Sequence, residues 1–274
     1  MINAIIFSKD RASQLNLFLN SVEKNAKNIF ELRIIYTYSD EIFGKGYDKL
    51  IKKYPEAKWF RQSSDFKQDV LTNLETNNNY TTFFTDDDII YRAVNEEEMI
   101  SKLKSDKDSF CFSMRLGLNV NKCYTMKCDN VIIPDFESDK FISWNWQVHL
   151  MDFGYPLSVD GHIFRTEEIS KLTKRVTFKD PNSYEGGLQI FNNFPKKNMW
   201  SYKTNALVNS PSNIVQSTSL NRNGEKHGIS AKDLNSEFLN DNYIDLNKID
   251  FSNIVGCHQE LELPLFNGVE LKEK

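Results

Sequence analysis

Three consecutive carboxylates, Asp86, Asp87 and Asp88, come directly after the aromatic and β-branched run Tyr80 to Thr85. Like charges at the end of a buried strand repel one another, and a cation or solvent must relieve the repulsion. Hard oxygen ligands suit Mn²⁺ or Mg²⁺, which keep several waters and take one or two carboxylates together with the phosphate oxygens of a substrate. A nucleoside diphosphate fits that description. The competing reading is a solvated turn in which Asp87 or Asp88 caps the next segment of chain. A second carboxylate, Glu185, lies in Asp180-Pro181-Asn182-Ser183-Tyr184-Glu185-Gly186-Gly187. Asp180 reads as an N-cap and Pro181 as the first helical position. The helix dipole favours Glu185 there, and a carboxylate held at a sheet rim can also serve as a general base. Gly186 and Gly187 each weaken a helix by about 1 kcal/mol relative to Ala, which implies a group approaching the backbone closely.

Aromatic and basic residues complete the set. Trp144, Trp146 and Tyr155 precede Asp160-Gly161-His162, and aromatics beside a glycine turn suit a sugar platform. Tryptophans in a core and a hairpin turn at Asp160-Gly161 are the alternative. Arg222 and His227 sit in the polar stretch from Asn213 to Gly228, which reads as a mobile loop. Ser230 then caps a helix carrying Leu234, Phe238 and Leu239, expected to pack back on the sheet. Cys123 and Cys128 have no second ligand pair beside them in sequence, so the four cysteines read as reduced thiols.

The elements that must position these residues alternate. Ala4 to Phe7 is a strand, and after it comes a helix with Leu15, Leu19 and Val22 on one face. Leu32 to Tyr36 begins a second strand, and Tyr47, Leu50 and Ile51 recur helically before Pro55. Trp59-Phe60 gives a third strand, and Asp65 with Gln68 resembles a capping box for a helix bearing Phe66, Val70, Leu71 and Leu74. Tyr80 to Thr85 is the fourth strand and Phe110 to Met114 a later one. The stretch from Leu118 to Phe141 has no clear period and reads as an insert or lid. Such alternation predicts an α/β, Rossmann-like fold: a mostly parallel central sheet with helices on both faces and ligands beyond the strands' carboxyl ends.

Several classes are excluded or disfavoured. With 34 basic and 38 acidic residues the net charge is −4 and no basic block stands out, so nucleic acid is not an expected partner. The longest apolar runs are four residues, too short to cross a bilayer, and no signal-peptide pattern opens the chain, which makes a cytoplasmic location the expectation. Neither a GxGxxG fingerprint nor a phosphate-binding GxxxxGK[ST] loop stands after the first strand. A phosphohydrolase using Asp10 as nucleophile lacks the second aspartate two residues on, because Arg11 and Ala12 come next.

Ile5-Ile6-Phe7-Ser8-Lys9-Asp10-Arg11 at the first strand and Phe83-Phe84-Thr85-Asp86-Asp87-Asp88 at the fourth resemble the GT-A-fold, nucleotide-sugar-dependent glycosyltransferases of the bacterial family-2-like type. The likeness is clearest over residues 1 to 90 and looser from 140 to 245. It implies one GT-A-type domain over residues 1–274: a nucleotide-binding half at 1–90, a donor- and acceptor-sugar half with a loop insert at 91–245, and a C-terminal extension at 246–274. The aspartate triplet looks like the family's DxD motif, with Asp88 as metal ligand and Asp86 its helper, for Mn²⁺ or Mg²⁺. By the same resemblance Phe7, Ser8, Lys9, Arg11, Tyr38, Ser39, Asp65, Lys67, Asp86 and Asp87 contact the nucleotide. Trp146, Asp160, His162 and Arg222 line the sugars, His227 joins the metal, and Glu185 is the base of an inverting transfer. The implied partners are a nucleotide-diphosphate sugar and a glycan or lipid-linked glycan acceptor, in the synthesis of bacterial surface polysaccharide. Peripheral contact with the inner face of a membrane is compatible with that role. A non-catalytic binding module of the same fold is the alternative, whereas a nucleotidyltransferase would carry a glycine-rich basic loop where Ser8 to Arg11 has none.

Overall fold

The computed structural model describes residues 1–191, 193–215 and 222–267. In chain order its elements are β1 (Ile2–Lys9), α1 (Ala12–Asn25), β2 (Phe30–Thr37), α2 (Glu41–Lys53), β3 (Lys58–Arg61), α3 (Phe66–Leu74), β4 (Tyr80–Thr85), β5 (Asp88–Ile90), α4 (Glu96–Ser105) and β6 (Ser109–Ser113). Next come β7 (Lys122–Cys123), β8 (Cys128–Asp129), β9 (Phe136–Glu137), β10 (Phe141–Asn145), β11 (His162–Arg165), α5 (Thr166–Arg175), α6 (Pro181–Leu188), β12 (Asn198–Tyr202), β13 (Leu207–Asn209), α7 (Ala231–Leu239), β14 (Asn242–Ile244) and β15 (Leu265–Asn267).

One nine-stranded sheet has the order β3-β2-β1-β4-β11-β6-β12-β10-β9. β1 runs parallel to β2 and β4, and β12 runs parallel to β6. β11 is antiparallel to both its neighbours, and β10 to β12 and β9. The α/β, mostly parallel expectation is therefore borne out, with β10 and β11 as the two reversed strands. Alternation along β1 shows why both faces need helices. Ile2, Ala4 and Ile6 join a core with Leu15 and Phe18 of α1 and Tyr47 and Leu50 of α2. Ile5 and Phe7 join an opposite core with Phe66 and Val70 of α3, Ile169 of α5 and Tyr184 of α6.

Local sequence sets the helix starts, although the capping box read at Asp65 is half formed, because Gln68 Nε2 donates to Thr72 Oγ1 (3.3 Å). Asp65 accepts the backbone N–H of Gln68, Asp180 that of Ser183 with Pro181 at the first position, and Ser230 that of Asp233. α7 departs from expectation, since it packs on helices α1 and α2, where Lys49 donates to Phe238 O and Asn235 to Ile42 O (3.1 Å). Strand order reverses between β1 and β4. At that switch point the Ser8–Arg11 and Asp86–Asp88 loops meet.

Candidate functional site

The loops after β1 and β4 are bound to each other through Asp86. Its Oδ2 accepts from Ser8 Oγ (2.8 Å) and Lys9 N (3.1 Å), and its Oδ1 accepts from Arg11 Nη1 (3.0 Å). The same guanidinium nitrogen donates to Asp87 Oδ2 (2.9 Å), while Arg11 Nε donates to Asn213 Oδ1 (2.7 Å). Burial pushes the Asp86 carboxyl up to about 6, against the pull of Arg11. Asp86 and Asp87 thus share a cation that the chain itself supplies.

Asp88 has none. It is fully buried, with Oδ2 accepting from Thr85 N (2.9 Å) and Oδ1 from Asn209 Nδ2 (3.2 Å), both neutral donors. Burial, and then the facing charge of Asp160, raise its carboxyl well above the usual range. Asp160 approaches from the far side of Thr85, whose Oγ1 donates to Asp160 Oδ1 (3.1 Å). Gly161 makes that approach, because its φ of +70° is strained for a residue with a Cβ, and a Cβ there would meet Leu207 at 2.9 Å. Behind Asp160, Arg115 Nη1 donates to its Oδ2 (3.0 Å) and to Ser158 Oγ (2.6 Å), and His258 Nε2 lies 3.2 Å from the same Oδ2. Burial alone would raise Asp160; the His258 hydrogen bond and the Arg115 charge outweigh it and hold the group at about 2. Glu185 reaches the same place, with Oε1 accepting from Val159 N (3.1 Å). Burial and Asp160 raise its carboxyl.

The structure brings together Ser8, Lys9, Arg11, Asp86, Asp87, Asp88, Asp160 and Glu185. It places other predicted site residues elsewhere. Phe7 is core, its ring against Phe66, Phe83 and Tyr184. Trp146 is buried beside Phe110, with Nε1 donating to Lys196 O (3.0 Å), so it offers no platform to a sugar. His162 is fully buried, its Nδ1 2.9 Å from Pro156 O, and burial pushes it down to about 3, which leaves it neutral and inward-facing. Lys67 Nζ donates to Lys174 O at the end of α5 (3.1 Å), a helix-terminus contact. Asp65 is exposed and caps α3. Arg222 stacks 4.1 Å over the Tyr124 ring and donates to Glu225 (2.6 Å). His227 belongs to a turn whose backbone N–H groups, from Glu225 to His227, donate to Glu260. Among the described residues neither Arg222 nor His227 contacts the aspartates. Residues 216–221 of that loop lie outside the described residues. Tyr38 stacks under the Arg61 guanidinium (3.3 Å) and against Gly44, and Ser39 N donates to Asp10 Oδ1 (2.7 Å), so Asp10 holds a turn. No protein group lies within 4 Å of a Cβ built on Gly186, and Gly187 meets only ordinary contacts, so the protein itself makes no close approach there and the space beside Gly186 is open.

Residues missed in sequence are Arg115, Asn209, Asn213 and His258. Asn209 binds Thr85 Oγ1, Asp87 and Asp88 with one amide. The stretch read as a C-terminal extension returns to the site: Asn209 N donates to Cys257 O and Gln259 N to Asn209 O (both 2.9 Å). The signal available was a histidine beside a cysteine in a segment with apolar anchors Ile254 and Leu261.

No protein-family model matches the chain. The bifunctional glycosyltransferase pgtA of Dictyostelium discoideum is 29% identical over 191 residues, 62% of this chain. The chain spans only 25% of that relative's length. TarS of S. aureus aligns with a TM-score of 0.49 at 13% identity, over 77% of this chain and 37% of its own. Mannosyltransferase PcManGT from Pyrobaculum calidifontis, solved with GDP-Man and Mn²⁺, aligns with a TM-score of 0.40 at 10% identity, over 72% of this chain and 53% of its own. The resemblance drawn from the strand-end motifs agrees with that sequence match to a glycosyltransferase. Among the described residues no helix is long and apolar enough to cross a membrane.

Proposed function

We propose that this chain transfers a glycosyl group from a nucleotide-diphosphate sugar to a hydroxyl of a glycan or lipid-linked glycan acceptor, in surface-polysaccharide synthesis. The observation that carries this reading is the buried pair Asp88 and Asp160 at the switch point, joined through Thr85, with Asp88 held only by neutral donors. The residues fit a divalent cation. Their donors are hard oxygens, and the Asp88 carboxyl, raised by burial and by Asp160, lacks a counter-charge that Asp86 and Asp87 already have in Arg11. Asp88 and Asp160 would hold Mn²⁺ or Mg²⁺, which when bound offsets the charge developing on the leaving diphosphate. Asp86 keeps the β1 loop in place through Ser8 Oγ and Lys9 N, leaving the exposed Lys9 side chain free to meet the nucleotide. Glu185 takes the proton of the acceptor hydroxyl as that oxygen attacks, and attack opposite the leaving group inverts the anomeric centre. Its raised carboxyl makes it a stronger base than an exposed glutamate.

Thermal unfolding with UDP, GDP, CDP and ADP, each with and without Mn²⁺, tests the reading, with product analysis using the matching nucleotide sugars as the second step. A ligand at 100 times its dissociation constant stabilises by about 2.7 kcal/mol, a shift of several degrees. One nucleotide with metal should give that shift, and Asp88→Ala should abolish it. Glu185→Gln should keep the shift and lose transfer by about 10²–10⁴-fold. Absence of any shift with metal present sinks the site, and a shift without product in any donor and acceptor mixture leaves a binding module.

A further inference from the structure

The ligand pair that Cys123 lacks in sequence is supplied by the fold. Lys122 N donates to Val255 O (2.9 Å), which lays β7 beside the returning C-terminal segment and brings Cys257 and His258 to the insert. The donor atoms of Asp152, Cys257 and His258 all lie within 4.8 Å of one another, and Cys257 Sγ is 3.5 Å from His258 Nδ1. Cys123 stands outside that 4.8 Å group, but its thiol is buried on β7 with Asp152 and Cys257 both nearby. Ligand atoms around one tetrahedral zinc stand roughly 3.2–3.8 Å apart, given bonds of about 2.0–2.3 Å. We propose that Cys123, Asp152, Cys257 and His258 Nδ1 form a structural Zn²⁺ site next to the carboxylate cluster and distinct from it.

Two features of the surroundings support a thiolate-rich zinc site over a set of inert thiols. His258 directs its other nitrogen, Nε2, at Asp160 Oδ2 (3.2 Å), the carboxylate–histidine pairing that fixes the tautomer of a metal-bound imidazole. Two thiolates and a carboxylate around Zn²⁺ leave one net negative charge, and Arg115, buried and donating to Asp152 Oδ1 (3.4 Å), offsets it. Binding displaces the two thiol protons to solvent. All four positions are filled by protein, so the ion has a holding role. It ties the β7–β8 insert, the Met151–Gly154 turn and the C-terminal return to one point, and through His258 it orients Asp160. Cys111, whose thiol donates to Pro156 O (3.7 Å), and Cys128, opposite Cys123 across the β7–β8 pair, lie outside the set.

The test is metal content by mass spectrometry of the chain purified without chelator, with Co²⁺ exchange read by its thiolate charge-transfer absorption. About one zinc per chain is expected. Cys257→Ser and Cys123→Ser should each weaken zinc retention against a chelator by at least tenfold, while Cys128→Ser and Asp88→Ala retain it. Serine is nearly isosteric with cysteine, and circular dichroism confirms that each variant is folded. No zinc uptake from an equimolar supply, a cobalt complex without the thiolate band, or equal retention in the Cys123→Ser, Cys257→Ser double variant overturns the proposal. None of these outcomes depends on nucleotide binding or glycosyl transfer.

Discussion

Asp86 and Asp87 on one side, and Asp88 with Asp160 on the other, are neighbouring carboxylate pairs in the same rim, and they are neutralised differently. The first pair shares the Arg11 guanidinium at 3.0 and 2.9 Å. Asp160 leans on Arg115, and Asp88 on backbone and amide donors alone. One run of three identical residues is thus divided by the fold into a part that holds two loops together and a part that is left short of positive charge. The charge of the first part is met within the chain, and that of the second is met by neutral donors only.

The largest effect that can break this comparison is at Arg11. Removing the cation leaves the buried Asp86 and the partly buried Asp87 without a counter-charge, and breaking a buried pair from one side costs about 3–5 kcal/mol. Arg11→Met should therefore lower the urea midpoint sharply, with the slope of the transition unchanged. A loss below about 1 kcal/mol would mean that solvent, not Arg11, relieves Asp86 and Asp87. The two pairs would then be alike.

Asp88→Asn probes the other half with the opposite sign. A carboxyl raised in the folded state favours folding fully below its unfolded value near 3.8, and that contribution is lost as pH rises through the folded value. At neutral pH without metal Asp88 opposes folding, because burial and the facing Asp160 make its charged form costly in the folded chain. The amide should then be more stable than the parent in chelator, by about 1 kcal/mol, and the gain should vanish below about pH 4. Added Mn²⁺ should reverse the ranking, because only the parent binds it. Thermal scans in chelator and in Mn²⁺ measure both. An Asn variant less stable in chelator would place Asp88 with the neutralised pair.

How far these roles were legible in sequence depends on the distance over which each is decided. Asp65, Asp180 and Ser230 act on backbone three residues away, so helix starts were readable. The triplet's place at the end of the fourth strand can be counted from the alternation, and the strand order then puts it at the switch point. The counter-charges could not be read that way, because Arg115, Asn209 and His258 meet the aspartates only after chain separations that no local pattern records. Phe7, Trp146 and His162 failed for a different reason. Each is of a type that binds ligands, and each faces inward because the packing of neighbouring helices and strands fixes which alternate position is core. Arg11 was placed on the nucleotide because a basic residue after the first strand faces the crevice in either role, and only the 3.0 Å contact to Asp86 shows which is met from within.

Glu31 offers the smallest effect and the sharpest contrast in sign. It lies on the edge side of the sheet and accepts from Lys58 (2.5 Å), Arg33 (2.9 Å) and Asn78 (2.6 Å). The Lys58 hydrogen bond, ahead of the opposing effect of burial and with help from Arg33 and Asn78, holds its carboxyl at about 2. A depressed carboxyl stabilises above its unfolded value near 4.5 and loses that contribution as pH falls through about 2. Glu31→Gln should cost only about 0.5 kcal/mol at pH 7, since solvent screens a pair this open, and 1 M salt should remove most of the difference. Lowering the pH from 5 to 2 should bring parent and variant together, whereas the same descent removes the advantage of the Asp88→Asn variant. Urea titrations of the two variants across that range would therefore show one carboxylate whose charge supports the fold and one whose charge works against it. If both variants instead lost stability relative to the parent at neutral pH in chelator, Asp88 would have a counter-charge within the chain, as Asp160 has in Arg115, and the case for an external cation would fall.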